Sequence, residues 1–128
     1  MNEVSGTETD AKRIYHLTTR AEWDEARAAG MYSRSTREKS FDEVGFIHGS
    51  LPSQLTEVAE FIYDDCDEEL VVLVMDLDRL ESAGLTVRFE DGGNGKFYPH
   101  IYAPVPCRLV DDVRPASFDE QGRFVFAE

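Results

Sequence analysis

The stretch at 85–102 constrains the fold most, because it has the pattern of a β-hairpin that carries an unusual set of polar side chains. Apolar and polar residues alternate in LTVRFE at 85–90, which is the period of a strand with one buried face. The DGGNG that follows supplies residues that tolerate the positive φ angles of a tight turn. On the return arm, FYPHIY at 97–102, one face carries Tyr98, His100 and Tyr102. With Glu90 on the first arm, the hairpin brings together a carboxylate, an imidazole and two phenols.

Charge and cysteine content narrow the class of protein. The 128 residues suit one domain, and 26 Asp and Glu against 13 Lys and Arg give a net charge of −13. Such a field repels phosphate backbones and anionic membranes, so we expect neither bulk nucleic acid nor a membrane as partner.

Cys66 and Cys107 are far apart in sequence and are expected to be free thiols in a reducing compartment. With no apolar run of about 18 residues, the expected location is cytoplasmic. The sequence predicts no particular oligomeric state.

The N-terminal third predicts a tail, a strand and a helix. Residues 1–12 are polar and without periodicity, so we expect a disordered tail before a single α+β domain at 13–128. Alternation predicts a strand at 13–18. The TRAE sequence at 19–22 is a capping box for a helix that ends at Gly30.

The middle of the chain predicts a second group of elements. A short strand at 31–33 is expected to lead into a mobile loop at 34–44 that covers the site. The segment at 45–50 is expected to be a strand with one face formed by Phe46, His48 and Ser50. Apolar residues at helical spacing predict a second main helix at 52–62, with a proline in its first turn.

The C-terminal half predicts the centre and one edge of the sheet. The valine-rich apolar run at 70–77 is typical of a central strand that is covered on both faces. One helical turn is expected at 78–84. Beyond the hairpin, a strand is expected at 107–113 and an edge strand at 122–126.

Each of the three histidines lies in a strand-like segment, which predicts a shared site. If these strands are neighbours, their polar faces combine seven side chains: His16, Thr18, His48, Ser50, Glu90, His100 and Tyr102. The structural alternative is equally open for any single histidine, since a strand histidine is commonly half-buried and bonded to a backbone carbonyl.

Other chemistry leaves weaker patterns. Three histidines and a glutamate suit zinc or non-haem iron, but no two histidines have the spacing of a metal-binding pair. Ser50 lacks the Gly-x-Ser-x-Gly elbow of a serine hydrolase. The glycine run at 92–95 lacks the Lys-Ser/Thr ending of a phosphate-binding loop, so it is interpreted as a hairpin turn.

Three segments in this order resemble a known family. YHLT at 15–18, GFIHGS at 45–50 and FYPHIY at 97–102, together with Glu90, resemble the bacterial family named domain of unknown function 952. The resemblance spans about 13–113. Its name states that the activity of the family is not established.

The resemblance implies a fold and a chemistry. That family is thought similar to ADP-ribosyltransferases, which are small α+β domains with a split, mostly antiparallel sheet, two main helices and an NAD cleft. Transferred to this sequence, the similarity implies that His16 contacts a ribose hydroxyl, that His48 with Ser50 holds the nicotinamide end, and that Glu90 steadies the ribose. The remaining nucleotide contacts would come from Thr18, His100 and Tyr102.

Three functions remain open at this point. The leading hypothesis is an NAD-like nucleotide cleft that performs ADP-ribosyl transfer or NAD hydrolysis, with NAD as cosubstrate. In arginine-directed transferases the last motif resembles Glu-x-Glu, whereas in this sequence Arg88 stands two residues before Glu90. Histidines 16 and 48 also resemble the two-histidine branch of RNA 2′-phosphotransferases, although the acidic chain argues against RNA. The alternatives are a noncatalytic module for a small molecule or protein, and a histidine-rich metal site.

Overall fold

Antiparallel strands form the framework of the fold, in a computed structural model that describes residues 12–37 and 39–126. The predicted tail, up to residue 11, lies outside the described residues. In chain order the strands are β1 (Arg13–Thr19), β2 (Met31–Tyr32), β3 (Arg34–Thr36), β4 (Lys39–Ser40), β5 (Ile47–His48), β6 (Leu70–Asp76), β7 (Val87–Asp91), β8 (Phe97–Ile101), β9 (Val105–Pro106), β10 (Asp112–Phe118) and β11 (Phe124–Phe126). The helices are α1 (Arg20–Ala29), α2 (Phe41–Val44), α3 (Leu55–Ile62) and α4 (Leu77–Ser82), and Cys107–Leu109 forms a 3-10 turn.

The larger sheet has the strand order β1-β6-β10-β11, and all of its pairs are antiparallel. Strand β6 lies inside the sheet, and its residues from Leu70 to Met75 are all buried. A strand of this kind needs apolar side chains on both faces, because each face packs against its own core. One core contains Ile14 and Leu73, and the other contains Tyr15 and Val72. The predicted central strand is confirmed.

A three-stranded sheet, called the smaller sheet below, has the order β5-β8-β7 and contains the predicted hairpin, while β2 pairs with β9 and β3 pairs with β4 in two-stranded sheets. Strands β7 and β8 pair from Val87 opposite Ile101 to Asp91 opposite Phe97, and the turn between them includes glycines with positive φ. The other edge of β8 pairs with β5, so that His48 lies opposite His100. This pairing brings the two histidine segments together.

The larger and smaller sheets meet at the bridge between Ser50 and Tyr15. The backbone of Ser50 exchanges two hydrogen bonds of 2.8 Å with Tyr15 on β1. One residue earlier, the Gly49 N–H donates to the Pro99 carbonyl at 2.8 Å. The chain from β5 to Ser50 therefore contacts both sheets within a few residues.

The first helix begins as the sequence predicts, but only half of the capping box forms. The N–H of Glu22 donates to Thr19 Oγ1 at 3.1 Å, and Gly30 ends α1 at φ 85°. The Glu22 carboxylate instead accepts a hydrogen bond from the Thr18 hydroxyl. The second predicted helix, α3, begins at Leu55, because Pro52 lies in the turn that precedes it.

Two segments differ from expectation. The predicted loop at 34–44 contains β3, β4 and α2 instead, because Ser40 and Glu43 form a reciprocal capping box and Gly45 ends the helix at φ 99°. The strand predicted at 107–113 starts only at Asp112. Before it, the Cys107 N–H donates to the Gly30 carbonyl at 3.1 Å, and this contact with the end of α1 is followed by the 3-10 turn.

The α+β class with mostly antiparallel strands is confirmed. The described residues contain four helices, of which α1 and α3 are the longest and correspond to the two that were predicted. Cys66 and Cys107 are free thiols. Within the described part of the chain, every helix is too short or too polar to cross a bilayer.

The junction of the sheets predicts a strong effect of one methyl group. In Gly49→Ala the added Cβ would lie 2.8 Å from Ile14 Cγ2 and 2.9 Å from the Pro99 carbonyl oxygen. Because Ile14 is fully buried and the second contact is backbone, we expect a loss of about 2 kcal/mol in the free energy of unfolding, measured by urea denaturation. A Gly→Ala change without a clash stabilises by up to about 1 kcal/mol, so unchanged or increased stability would contradict this close packing.

Candidate functional site

The seven candidate residues fall into two groups that meet at His48. One group lies on a partly solvent-exposed face of the smaller sheet. We call this the open face and define it by four of the seven, His48, Glu90, His100 and Tyr102, together with Phe46. The other group is buried along β1 and consists of His16 and Thr18, with Ser50 in the neighbouring bridge.

Glu90 is the polar centre of the open face. Its Oε1 atom lies 2.7 Å from His100 Nδ1 and accepts a hydrogen bond of 2.5 Å from the Tyr102 hydroxyl. Hairpin register explains this, since Glu90 lies opposite Tyr98 and therefore diagonal to His100 on the same face. The hydrogen bonds from Tyr102 and then from His100 hold the pKa of the Glu90 carboxyl below its ordinary value. Both bonds use Oε1, which leaves Oε2 without a partner among the described residues.

The hydrogen bonds to Glu90 also determine which protons Tyr102 and His100 carry. The pKa of the Tyr102 hydroxyl is raised, chiefly because this proton is donated to Glu90. An ionised carboxylate only accepts, so His100 carries a proton on Nδ1. His100 is buried, and its Nε2 makes no hydrogen bond with the described residues. An imidazole oriented by a carboxylate in this way can act as an acid or a base through Nε2.

Phe46 covers the histidines of the open face. Its ring stacks on His100 with centroids 4.1 Å apart and planes 20° apart. The centroid of the Phe46 ring also lies 4.7 Å from that of the His48 ring and 5.3 Å from that of the Tyr102 ring. His48 is exposed as a residue, yet the rings beside it exclude enough water to lower the pKa of its imidazole, and the charge of His100 adds to this. The open face therefore presents aromatic rings around one carboxylate, and the Arg88 guanidinium lies 5.5 Å from the centroid of the Tyr102 ring.

His16 lies in the core, where its two ring nitrogens are both occupied. Nδ1 lies 2.6 Å from the His48 carbonyl oxygen, and Nε2 lies 2.7 Å from the Tyr32 hydroxyl. A carbonyl oxygen only accepts, so Nδ1 carries the proton and Nε2 accepts from Tyr32. Burial raises the pKa of Tyr32 well above its ordinary value, which keeps this donor protonated. His16 thus has no ring nitrogen left for a ligand.

The buried group continues from Thr18 to the surface. The Thr18 hydroxyl donates to Glu22 Oε1 at 2.8 Å, and Glu22 Oε2 lies 3.1 Å from Arg34 Nε. Thr18 and Ser50 are 1% and 4% exposed. The structure therefore brings His48, Glu90, His100 and Tyr102 together, while His16, Thr18 and Ser50 are buried behind them.

Sequence analysis placed Phe46 on the strand face of His48 without including it in the candidate site, and it missed Tyr32. Phe46 alternates with His48 in GFIHGS, so period-two alternation was the signal that placed it on the same face. Tyr32 follows α1 in a two-residue strand and has no local signal for contact with a histidine 16 residues earlier.

Other parts of the surface carry different features. Among residues 12–37 and 39–126, no three His, Cys, Asp or Glu side chains are placed to share a metal ion. Two depressions, of about 320 Å³ beside Phe126 and about 410 Å³ beside Arg108, have no histidine in their linings. The candidate site is thus separate from both depressions.

Fold and sequence together place the chain in a family. Residues 17–113 match the family described as "Protein of unknown function (DUF952)", and the chain belongs to this family. Its fold is similar to the crystal structure of protein CC0527 from Caulobacter crescentus, with a TM-score of 0.75 and 28% identity over 88% of this chain and 93% of that one. The solution NMR structure of CC0527 gives a TM-score of 0.70 and 28% identity over 87% and 90% of the two chains. No curated protein matches the chain.

The buried imidazole predicts a loss of stability in mild acid. Burial lowers the pKa of His16 from 6.5 to about 4, although the bond to the His48 carbonyl partly opposes this. Protonation therefore favours the unfolded chain. The contribution of His16 is fully present above pH 6.5 and is lost as the pH falls towards about 4, by roughly 3 kcal/mol in total.

Urea denaturation across this pH range measures the effect against His16→Asn. The amide of asparagine can donate to the His48 carbonyl but does not titrate, so the variant should lack this part of the pH dependence. His48→Asn removes an exposed imidazole and should retain it. Equal slopes for the wild type and His16→Asn would show that His16 is not held neutral in the folded chain.

Proposed function

We propose that the open face binds an NAD-like nucleotide and supports cleavage of its nicotinamide–ribose bond, with transfer of ADP-ribose to an acceptor or to water. The observation that carries the proposal is the Glu90 carboxylate, which two internal donors hold through Oε1 while Oε2 remains available. We also propose that the two sheets, joined at a single bridge, are the split sheet of an ADP-ribosyltransferase-like fold.

Ring surfaces support the binding part of the proposal. Nicotinamide and adenine are planar, and aromatic side chains favour stacked or edge contacts with planar rings. Phe46 is half-buried and His48 is exposed, so both reach the surface of the open face. The ring of Phe46 is itself supported by His100, which restricts its motion before a ligand arrives.

Charge supports the chemical part. When the glycosidic bond breaks, its electron pair moves to the pyridinium nitrogen, neutral nicotinamide leaves, and positive charge develops on the ribose. A carboxylate that is already oriented stabilises this charge more in the transition state than in the ground state. The oxygen of the acceptor or water then bonds to the ribose carbon, and its proton passes to the neutral imidazole of His48.

His16 has a positioning role in this proposal. It binds the backbone of His48 and therefore acts through the position of β5. Thr18 and Ser50 support the same region from the core.

A noncatalytic binding module is the second candidate. It is favoured by Arg88, which stands where a Glu-x-Glu pair would have its first glutamate. Glu90 therefore lacks the second carboxylate of such a pair, which favours binding without catalysis. Such a module would use the same rings, but nicotinamide release would not depend on Glu90.

Calorimetric titration with NAD separates binding from chemistry. Phe46→Ala should weaken binding by about tenfold, since an aromatic contact contributes about 0.5–1.5 kcal/mol beyond its buried area. Glu90→Gln should retain binding but slow nicotinamide release by about 10²–10³-fold. Phe61→Ala is the matched control, because Phe61 is 85% exposed on α3 and is not part of the open face.

Thermal denaturation gives an independent measure of binding. NAD at a hundredfold excess over its dissociation constant should raise the free energy of unfolding by about 2.7 kcal/mol. Absence of both heat and stabilisation for the wild type would refute nucleotide binding. Binding with no release, or with release that is equal in Glu90→Gln, would identify the noncatalytic module.

A further inference from the structure

Strand β7 is an outer strand whose free edge can be assigned residue by residue. Among the described residues it pairs only with β8. The Tyr102 N–H donates to the Thr86 carbonyl at 2.8 Å, and the Gly92 N–H donates to the Lys96 carbonyl at 2.9 Å. Along a strand, the N–H and C=O groups of successive residues point alternately to its two sides. The even-numbered residues between these two hydrogen bonds therefore direct their N–H and C=O groups towards β8. The backbone groups that point outward belong to Val87, Phe89 and Asp91.

The sequence of β7 is complementary to itself in one antiparallel register. If two copies pair about Phe89, the outward backbone groups of Phe89 meet those of the second Phe89, and Val87 meets Asp91. Arg88 of each copy then lies opposite the partner subunit's Glu90. Opposite charges across a strand pair stabilise it, and the twofold axis repeats this pair.

The neighbouring registers lack this complementarity. The outward backbone groups allow shifts that would place Arg88 opposite the partner's Arg88 or Glu90 opposite the partner's Glu90. Like charges directly opposite each other destabilise a strand pair. The register centred on Phe89 is therefore selected by charge.

An exposed aromatic side chain adds to the same register. Phe89 is 41% exposed and lies on the face opposite to Arg88 and Glu90, because side chains alternate along a strand. In the centred register it faces the partner's Phe89, and aromatic cross-strand pairs contribute up to about 1 kcal/mol.

We propose that the chain forms a twofold dimer by antiparallel pairing of β7 with β7 of a second copy. The smaller sheets then continue into one another, and the two open faces lie on the same side of the joined sheet. The partner subunit's Arg88 comes beside Glu90, so the partner adds a second cation to each open face, where the chain's own Arg88 already lies over the Tyr102 ring. A five-residue strand pair buries less than the 1,200–2,000 Å² that is typical of a stable interface, so the dimer is weak and depends on concentration.

Sedimentation equilibrium over a wide concentration series tests the dimer. The wild type should show reversible monomer–dimer association. Arg88→Glu places like charges opposite each other twice, so we expect the dimer dissociation constant to rise by about tenfold. Phe89→Pro should abolish association, because it removes an outward N–H that β8 does not use. Arg123→Glu is the charge-matched control, since Arg123 is exposed and lies outside β7.

Register is tested separately by exchange of the charges. The double variant Arg88→Glu with Glu90→Arg restores opposite pairs and should associate more tightly than Arg88→Glu alone. A monomeric wild type at every concentration, or a dimer that survives both Arg88→Glu and Phe89→Pro, would overturn the proposal. Association does not require NAD, so failure of nucleotide binding leaves this test unaffected.

Discussion

The open face depends on a hydrogen bond from a buried side chain, the His16 imidazole, to the carbonyl of His48. Strand β5 has only two residues, and its pairs with β8 give it few bonds of its own. The imidazole bond, the Ser50 bridge to Tyr15 and the contact at Gly49 together hold this short strand between two sheets. His48 and the Phe46 ring that covers the open face are placed by these contacts. The position of the candidate site is thus determined from the core side, where water is excluded.

Exclusion of water also explains why His16 and His48 differ in role. Both imidazoles have lowered pKa values, and burial is the main cause for each. At His16 the core removes solvent completely, and two protein partners replace it. At His48 the neighbouring rings remove only part of the solvent, so a neutral imidazole remains at the surface. The same residue type therefore holds a neighbouring strand in one place and reaches the surface in the other.

Sequence analysis predicted the parts of this structure that depend on local pattern. Alternation along the hairpin placed Glu90, His100 and Tyr102 on one face, and the turn glycines set the register that joins them. The apolar run of β6 predicted a covered central strand. Local patterns suffice in these cases because the residues that interact lie within one hairpin or one strand.

Features that depend on contacts between distant segments could not be predicted in the same way. Alternation correctly placed His16 on one face of β1, but nothing local indicates that Tyr32 covers this face. Ser50 was assigned to the site, although a bridge to a distant strand buries it. The segment at 34–44 was different, since the Ser-x-x-Glu capping pattern at Ser40 that forms its helix is present in the sequence.

Glu90 shows how local contacts outweigh the overall charge of this chain. A net charge of −13 disfavours ionisation of any further carboxyl group, yet surface charges beyond about 8 Å are largely screened at physiological salt. Tyr102 and His100 donate to the carboxylate at 2.5 and 2.7 Å, well inside that distance, and the pKa of Glu90 is lowered. Contact donors therefore decide the state of this group. An acidic chain can in this way keep one carboxylate ionised and oriented on an aromatic surface, which is the property that the proposed chemistry requires.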